Sequence, residues 1–283
     1  MLNRPDQDSR RAQRVVALLA RIVVFATLAL STASCGKNTT EPSGRGIRML
    51  FVGNSLVADN ALPELVRMVA ALMGDTAFVR SETAGGTALI DHLNGASQAV
   101  QALEGGAWDF VVLSQGPTPR GICRDSLVLW TMMFDPFIRK SGARSAVLMT
   151  WPASSARPKL FDEVRISFQQ AALAVNGTFL PAGEAWRIAW EADATLPLYG
   201  GDGFHPSALG SLLAALEIHG RLSGRNMRTL PVARLATIAP RGTTSEQLRI
   251  LIEAAQLANE RFNSPLAEST DDAIPSARVI QSC

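Results

Sequence analysis

The sequence predicts an α/β fold of three layers, with helices covering both faces of a five-stranded parallel sheet. Two observations predict it. Short β-branched or apolar runs alternate with longer segments along the chain, and in those longer segments the apolar residues recur at three and four, as helices buried on one side require. Composition agrees: 283 residues with 47% hydrophobic and 18% charged can fill one sizeable core and lack the polarity of a disordered chain.

The elements begin after a leader. Residues 1–34 open with "MLNRPDQDSRRAQRVVALLAR", an Arg-rich stretch, followed by the short apolar run "IVVFATLAL", which together read as an export signal. That run is too short for a bilayer span, which takes about 20 apolar residues. It ends in "STASC", a Ser-Cys junction that resembles a bacterial lipoprotein cleavage site, with Cys35 the lipidated first residue of the mature chain. Thr32 stands where such sites carry leucine, so plain secretion or an uncleaved anchor stays open beside lipidation. The expectation is an exported protein of the cell envelope, held to a membrane by a lipid at Cys35, or else secreted or periplasmic. Residues 35–46 are a polar linker, 47–265 the folded domain and 266–283 an irregular tail.

Removal of the leader changes the charge. It holds five Arg and two acidic residues out of 27 basic and 25 acidic, so the mature chain keeps 22 basic and 23 acidic groups. No basic face for neutralising phosphates remains, which excludes a nucleic-acid partner. With Cys35 assigned to the lipid, Cys123 and Cys283 are left as a pair able to form a disulfide in an oxidising compartment; the alternative is a small buried Cys123 and a free thiol at Cys283. The chain has no CxxC pair and no His/Cys cluster, so no structural zinc and no cofactor is implied.

The strands are placed at "IRMLFVG", "AFVRSET", "FVVLSQG", "SAVLMTW" and "GTFLPAG". Helices are expected at "LPELVRMVAALMG", "ALIDHLNGASQAVQALEGG", "SLVLWTMMFDPFIRKSG", "PKLFDEVRISFQQAALAVNG" and "SALGSLLAALEIHGRLSG". A last one, "TTSEQLRILIEAAQLANERF", starts with a capping box from Thr243 to Glu246 and buries Leu248, Leu251, Ile252, Ala255 and Phe262.

Ligands of an open α/β sheet sit beyond the carboxyl ends of its strands, so the polar residues there are the candidates. After the first strand comes Gly53-Asn54-Ser55, a serine at a strand-to-helix turn whose own amide can face a bound carbonyl oxygen. A serine hydroxyl needs a base to take its proton and donors for the oxyanion it creates. "DGFHP" offers the base: Asp202 and His205, three apart, allow the carboxylate to hold one ring nitrogen while the other faces the serine.

The pairing of "FVGNSL" with "DGFHPSALG", over about residues 47 to 225, resembles the SGNH (GDSL-type) hydrolases. The resemblance implies a flavodoxin-like sheet, Ser55 as nucleophile, His205 as general base and later acid, and Asp202 as the residue orienting the imidazole. It also implies an oxyanion hole from the amides of Ser55 and Gly86, the second glycine of "TAGGTAL", with Gly85 as the lesser choice. The family's third block, Gly-x-Asn-Asp, is absent: spacing puts Thr118 of "SQGPTP" at the amide position. Gln115 is preferred to Thr118, because its longer amide reaches from the strand end and some carbohydrate-esterase relatives carry Gln-Gly here. His92 and His219 read as structural, and Trp151 and Trp186 as packing residues.

Three activities follow. The first is a serine esterase acting on a small ester, an acetyl group on a glycan being the natural substrate of an exported lipoprotein. A lipase- or thioesterase-like acyl hydrolase is the second. The third is a glycan-binding envelope protein that kept the fold and lost efficient chemistry; the intact Ser55, Asp202 and His205 argue against it.

Overall fold

The structure, a computed structural model, describes residues 46–118 and 121–263. The leader, lipidation of Cys35, the tail 266–283 and the pairing of Cys123 with Cys283 lie outside the described residues. In chain order the elements are β1 (Ile47–Gly53), α1 (Ser55–Ala58), α2 (Leu62–Leu72), β2 (Ala77–Thr83), α3 (Leu89–Leu93), α4 (Ala99–Gly105), β3 (Phe110–Leu113) and α5 (Gly121–Lys140). Then come β4 (Arg144–Leu148), α6 (Arg157–Ala174), β5 (Thr178–Leu180), α7 (Ala182–Ala192), α8 (Ala208–Ser223), α9 (Val232–Leu235) and α10 (Ser245–Arg261).

The five strands form one sheet in the order β2-β1-β3-β4-β5, every neighbouring pair parallel. This is the predicted fold class. The connection from β1 to β2 runs one way across the sheet and those from β3 to β4 to β5 the other, so right-handed crossovers put their helices on opposite faces. One helical layer packs α2, α7, α8 and α10 together; the other packs α5 against α3, α4 and α6.

β1 is an interior strand between β2 and β3, and Met49, Leu50, Phe51 and Val52 are buried. So is almost all of α8, whose sequence "ALGSLLAALEIHGRLS" is apolar on every side because α2, α7 and α10 surround it. Several elements depart from the sequence expectation. The helix expected over 88–106 is two, α3 and α4, divided at Asn94 and Gly95, where Gly95 takes φ +95°. β5 ends at Leu180, since Pro181 has no N–H for a ladder, and the chain enters α7, a helix hidden behind "PAGEAW". The capping box of α10 lies one residue later than expected: the Thr244 hydroxyl accepts from Gln247 N at 3.1 Å, and Gln247 Oε1 accepts from Thr244 N at 2.9 Å. Phe262 is half-buried just beyond the helix.

α8 carries one misfit. Glu217 is fully buried and neither carboxyl oxygen has a hydrogen-bond partner among the described residues. Arg221, a turn away, uses its Nη groups on the Asn259 and Phe262 carbonyls and the Asn263 side chain. Burial pushes the Glu217 pKa well above the ordinary 4.5, only partly opposed by Arg221. Glu217→Met, of similar volume, is expected to stabilise the fold by about 1–3 kcal/mol. A group whose pKa is raised by folding stabilises most below its unfolded value, so the advantage of methionine should grow as pH rises above 4.5. Urea midpoints of the two proteins at several pH values check this; an unchanged or lower midpoint for Glu217→Met at neutral pH counts against it.

Candidate active site

The strand order reverses between β1 and β3, and the crevice beyond their carboxyl ends is where a sheet of this kind opens to ligand. β1 leads into it through Gly53, where the constraint is space rather than backbone angle. A Cβ there would lie 2.8 Å from Val57 Cγ2 and 3.2 Å from the Ser114 carbonyl oxygen. Asn54 then caps α1, its Oδ1 accepting from Leu56 N at 3.0 Å, and its Nδ2 donates to the Thr87 carbonyl at 3.3 Å. Ser55 is thereby the first residue of α1, with its N–H ahead of the first intrahelical bond.

His205 arrives from the far side of the chain on a small hairpin. Tyr199 and Pro206 pair as an antiparallel bridge, Gly200 N donates to the His205 carbonyl at 2.7 Å, and Gly203 turns the chain at φ +69°. This loop is pinned from outside. Trp151 Nε1 donates to the Phe204 carbonyl at 3.0 Å, Ser154 N to the Gly203 carbonyl at 2.8 Å, and the Tyr199 hydroxyl to the Pro152 carbonyl at 2.7 Å. Trp151 itself is buried against Trp186, the rings stacked at 3.6 Å, so both tryptophans support the loop from below. From the nucleophile side Asn60 Nδ2 donates to the Pro206 carbonyl at 3.0 Å; Asn60 (φ 54°) and Ala61 (φ 51°) both hold left-handed backbone to make that turn.

These constraints bring Ser55, His205 and Asp202 together. His205 Nε2 lies 2.9 Å from Ser55 Oγ, and His205 Nδ1 lies 2.5 Å from Asp202 Oδ2. Because the carboxylate can only accept, Nδ1 carries a proton and Nε2 of the neutral ring is left as the acceptor for the serine hydroxyl. Asp202 Oδ1 accepts two further bonds, from Phe204 N and His205 N, each at 3.0 Å. The His205 bond, then these two amides, lower the Asp202 pKa to about 2, which keeps the residue charged.

Besides the Ser55 amide, the expected oxyanion donors lie on the turns that follow β2 and β3, the strands flanking β1. Gly86 takes φ +72° whereas Gly85 does not adopt a positive φ, and no hydrogen bond among the described residues uses the N–H of Gly86 or of Ser55. Gln115 is buried, with its Oε1 accepting from Leu89 N at 3.1 Å. Its carbonyl end is thus fixed, and its Nε2 makes no bond among the described residues. Thr118 is also buried, and its hydroxyl has no partner among the described residues. The other two histidines lie elsewhere. His219 is buried in α8 with Nε2 3.1 Å from Asp75 Oδ2, and His92 sits behind the Gly53 turn. Sequence reading missed Asn54, Asn60 and Ser154 as supports; the N-cap position of Asn54 was the one available signal. Among the described residues no group of three or more His, Cys, Asp or Glu is placed to hold a metal, and no helix is long and apolar enough to cross a membrane.

No family model matches this chain, and no curated protein matches it. Solved structures do. A protein of Slackia heliotrinireducens, provisionally classed as an SGNH hydrolase, is 26% identical with a TM-score of 0.54, over 63% of this chain and 100% of its own. A DUF4886 family protein of Bacteroides uniformis is 18% identical with a TM-score of 0.66, over 80% of this chain and 99% of its own. The second likeness is one of fold, and it extends the five-stranded α/β/α architecture over most of the domain.

Proposed function

We propose that the chain is a serine esterase of the SGNH type that removes a small acyl group, acetyl above all, from a carbohydrate through an acyl-enzyme. The observation that carries the reading is the unbroken run Ser55 Oγ, His205 Nε2, His205 Nδ1, Asp202 Oδ2 at 2.9 and 2.5 Å. In this reading Ser55 Oγ attacks the ester carbonyl as its proton passes to His205 Nε2. The oxyanion is held by the N–H groups of Ser55 and Gly86 and by Gln115 Nε2. Collapse expels the alcohol, which takes the proton from Nε2. Water then enters, gives a proton to the same nitrogen, and releases the acid and free serine.

Two features support a short acyl group on a polar carrier. The site is open, with the His205 side chain 34% and the Asp202 side chain 52% exposed, so an ester on a polymer can reach it. The exposed large apolar side chains, Phe78, Ile122, Met133, Phe137 and Leu173, lie on β2, α5 and α6 and not on the described loops that carry the triad, where a long acyl chain would need them. In this reading the leader of residues 1–34 carries the activity to the cell envelope, or to the periplasm or medium where Cys35 takes no lipid.

A fluorophosphonate probe is expected to label the wild-type protein and not Ser55→Ala, and p-nitrophenyl acetate to be hydrolysed with a higher kcat/KM than the octanoate or palmitate ester. Equal labelling of Ser55→Ala removes the nucleophile assignment. Faster turnover of the long esters makes the protein an acyl-chain hydrolase, and neither labelling nor turnover makes it a binding protein.

A further inference from the structure

His92 stands directly behind the crevice. It is buried, on α3. Its Nε2 lies 3.0 Å from the Gly53 carbonyl oxygen and 3.1 Å from Thr87 Oγ1, and its Nδ1 lies 2.7 Å from Ser97 Oγ. The proton positions follow from the partners. A carbonyl only accepts, so the neutral ring carries its proton on Nε2, and Nδ1 accepts from the Ser97 hydroxyl. The Thr87 hydroxyl donates to the Ala84 carbonyl at 2.7 Å and therefore accepts from Nε2. Burial lowers the pKa of the ring below its ordinary 6.5, which keeps it neutral.

The partners belong to two separate turns. Gly53 ends β1 and leads into Asn54 and Ser55. Thr87 and Ala84 close the turn that presents Gly86. The Gly53 carbonyl also accepts from Ala84 N at 3.2 Å, and Asn54 Nδ2 reaches the Thr87 carbonyl at 3.3 Å, so one imidazole completes a set of bonds tying the two turns edge to edge. We infer that His92 is a positioning residue of the oxyanion hole, an Nε2-protonated strut that sets the spacing between the Ser55 and Gly86 amides. This rests on Ser55 being the nucleophile. Removing the strut should leave the substrate's ground-state contacts alone and misplace donors that matter once negative charge has formed.

His92→Phe keeps a planar ring and loses both polar edges; His92→Gln keeps a donor that can point at Gly53. For p-nitrophenyl acetate at a temperature where all three proteins are folded by circular dichroism, His92→Phe is expected to lose about 10- to 100-fold in kcat with KM within two-fold, a loss of the size that small misplacements cause. His92→Gln is expected to recover at least ten-fold of a 100-fold loss, or most of a smaller one. Affinity for an alkyl boronic acid, which forms a tetrahedral adduct on serine, should fall with kcat. A His92→Phe enzyme with unchanged kcat, or a kcat loss without a loss of boronate affinity, overturns the inference. So does a folded His92→Gln no better than His92→Phe. If neither variant folds, long-range ¹H–¹⁵N correlation on the wild-type imidazoles decides: a neutral His92 ring protonated on Nδ1 overturns the strut. Absence of both fluorophosphonate labelling and ester turnover in the wild type is a different result, the failure of the esterase reading itself.

Discussion

Replacing His205 by alanine is expected to lower kcat on p-nitrophenyl acetate by on the order of 10⁴- to 10⁶-fold, with KM little changed. The size follows from what the imidazole does. Among the described residues Ser55 Oγ has one base in reach, Nε2 at 2.9 Å, and without it the hydroxyl must attack with its proton in place. The rest of the site survives the change, because the Asn54 cap and the Gly53 turn do not depend on His205. Fluorophosphonate labelling should vanish with turnover. The wild-type pH profile belongs to the same argument. Asp202, lowered to about 2 by its bond to His205 and by two backbone amides, stays ionised at any pH an assay would use. Asp202 should therefore add no proton of its own to the acid limb of kcat/KM. A residual rate within ten-fold of wild type would assign the base elsewhere.

Gln115→Ala is the second large effect, about 10²- to 10³-fold in kcat with KM little changed, as expected for loss of one oxyanion donor. The Leu89 amide holds the Gln115 carbonyl end at 3.1 Å, so the two hydrogens of Nε2 are committed to one direction before substrate arrives. A donor fixed in advance is worth most, since no reorganisation is needed when charge develops. Thr118→Ala should be nearly silent: its hydroxyl is buried without a partner, and removing it leaves nothing else unsatisfied. Steady-state kinetics of the two variants decide between the residues. A large loss at Thr118 with silence at Gln115 would give the third donor to the threonine.

The extent of what could be read in advance follows from the range of each interaction. β1 and β2 match the expected residues from end to end, because each is followed at once by small turn residues. β3 and β4 stop short of the segments expected for them, "FVVLSQG" and "SAVLMTW", and Ser114, Gln115, Thr150 and Trp151 stay buried past the end of the ladder. α7 escaped because a proline and a glycine at its start look like a turn, whereas here Pro181 is the N-cap and Gly183 lets the helix approach the Thr150 carbonyl. Ser55 and the Asp202–His205 pair were legible because a turn and a spacing of three are local patterns. The supports were not: His92 reaches Gly53 across 39 residues, Trp151 reaches Phe204 across 53, and Asn60 reaches Pro206 across 146. No spacing rule encodes such partners; only the completed topology does.

The distance between Ser55 and His205 along the chain, 150 residues, has a consequence for how the proposed site is assembled. The serine leaves the first strand and the histidine follows the last, so the whole sheet is laid down in sequence between them. During synthesis or refolding the strands nearest in sequence can pair early, and non-local contacts close late because their loop entropy must be met first. A chain with β1 to β4 assembled and β5 undocked would hold every functional side chain and no catalyst. Under the proposed esterase function, turnover would therefore report completion of the topology more strictly than helix content or compactness.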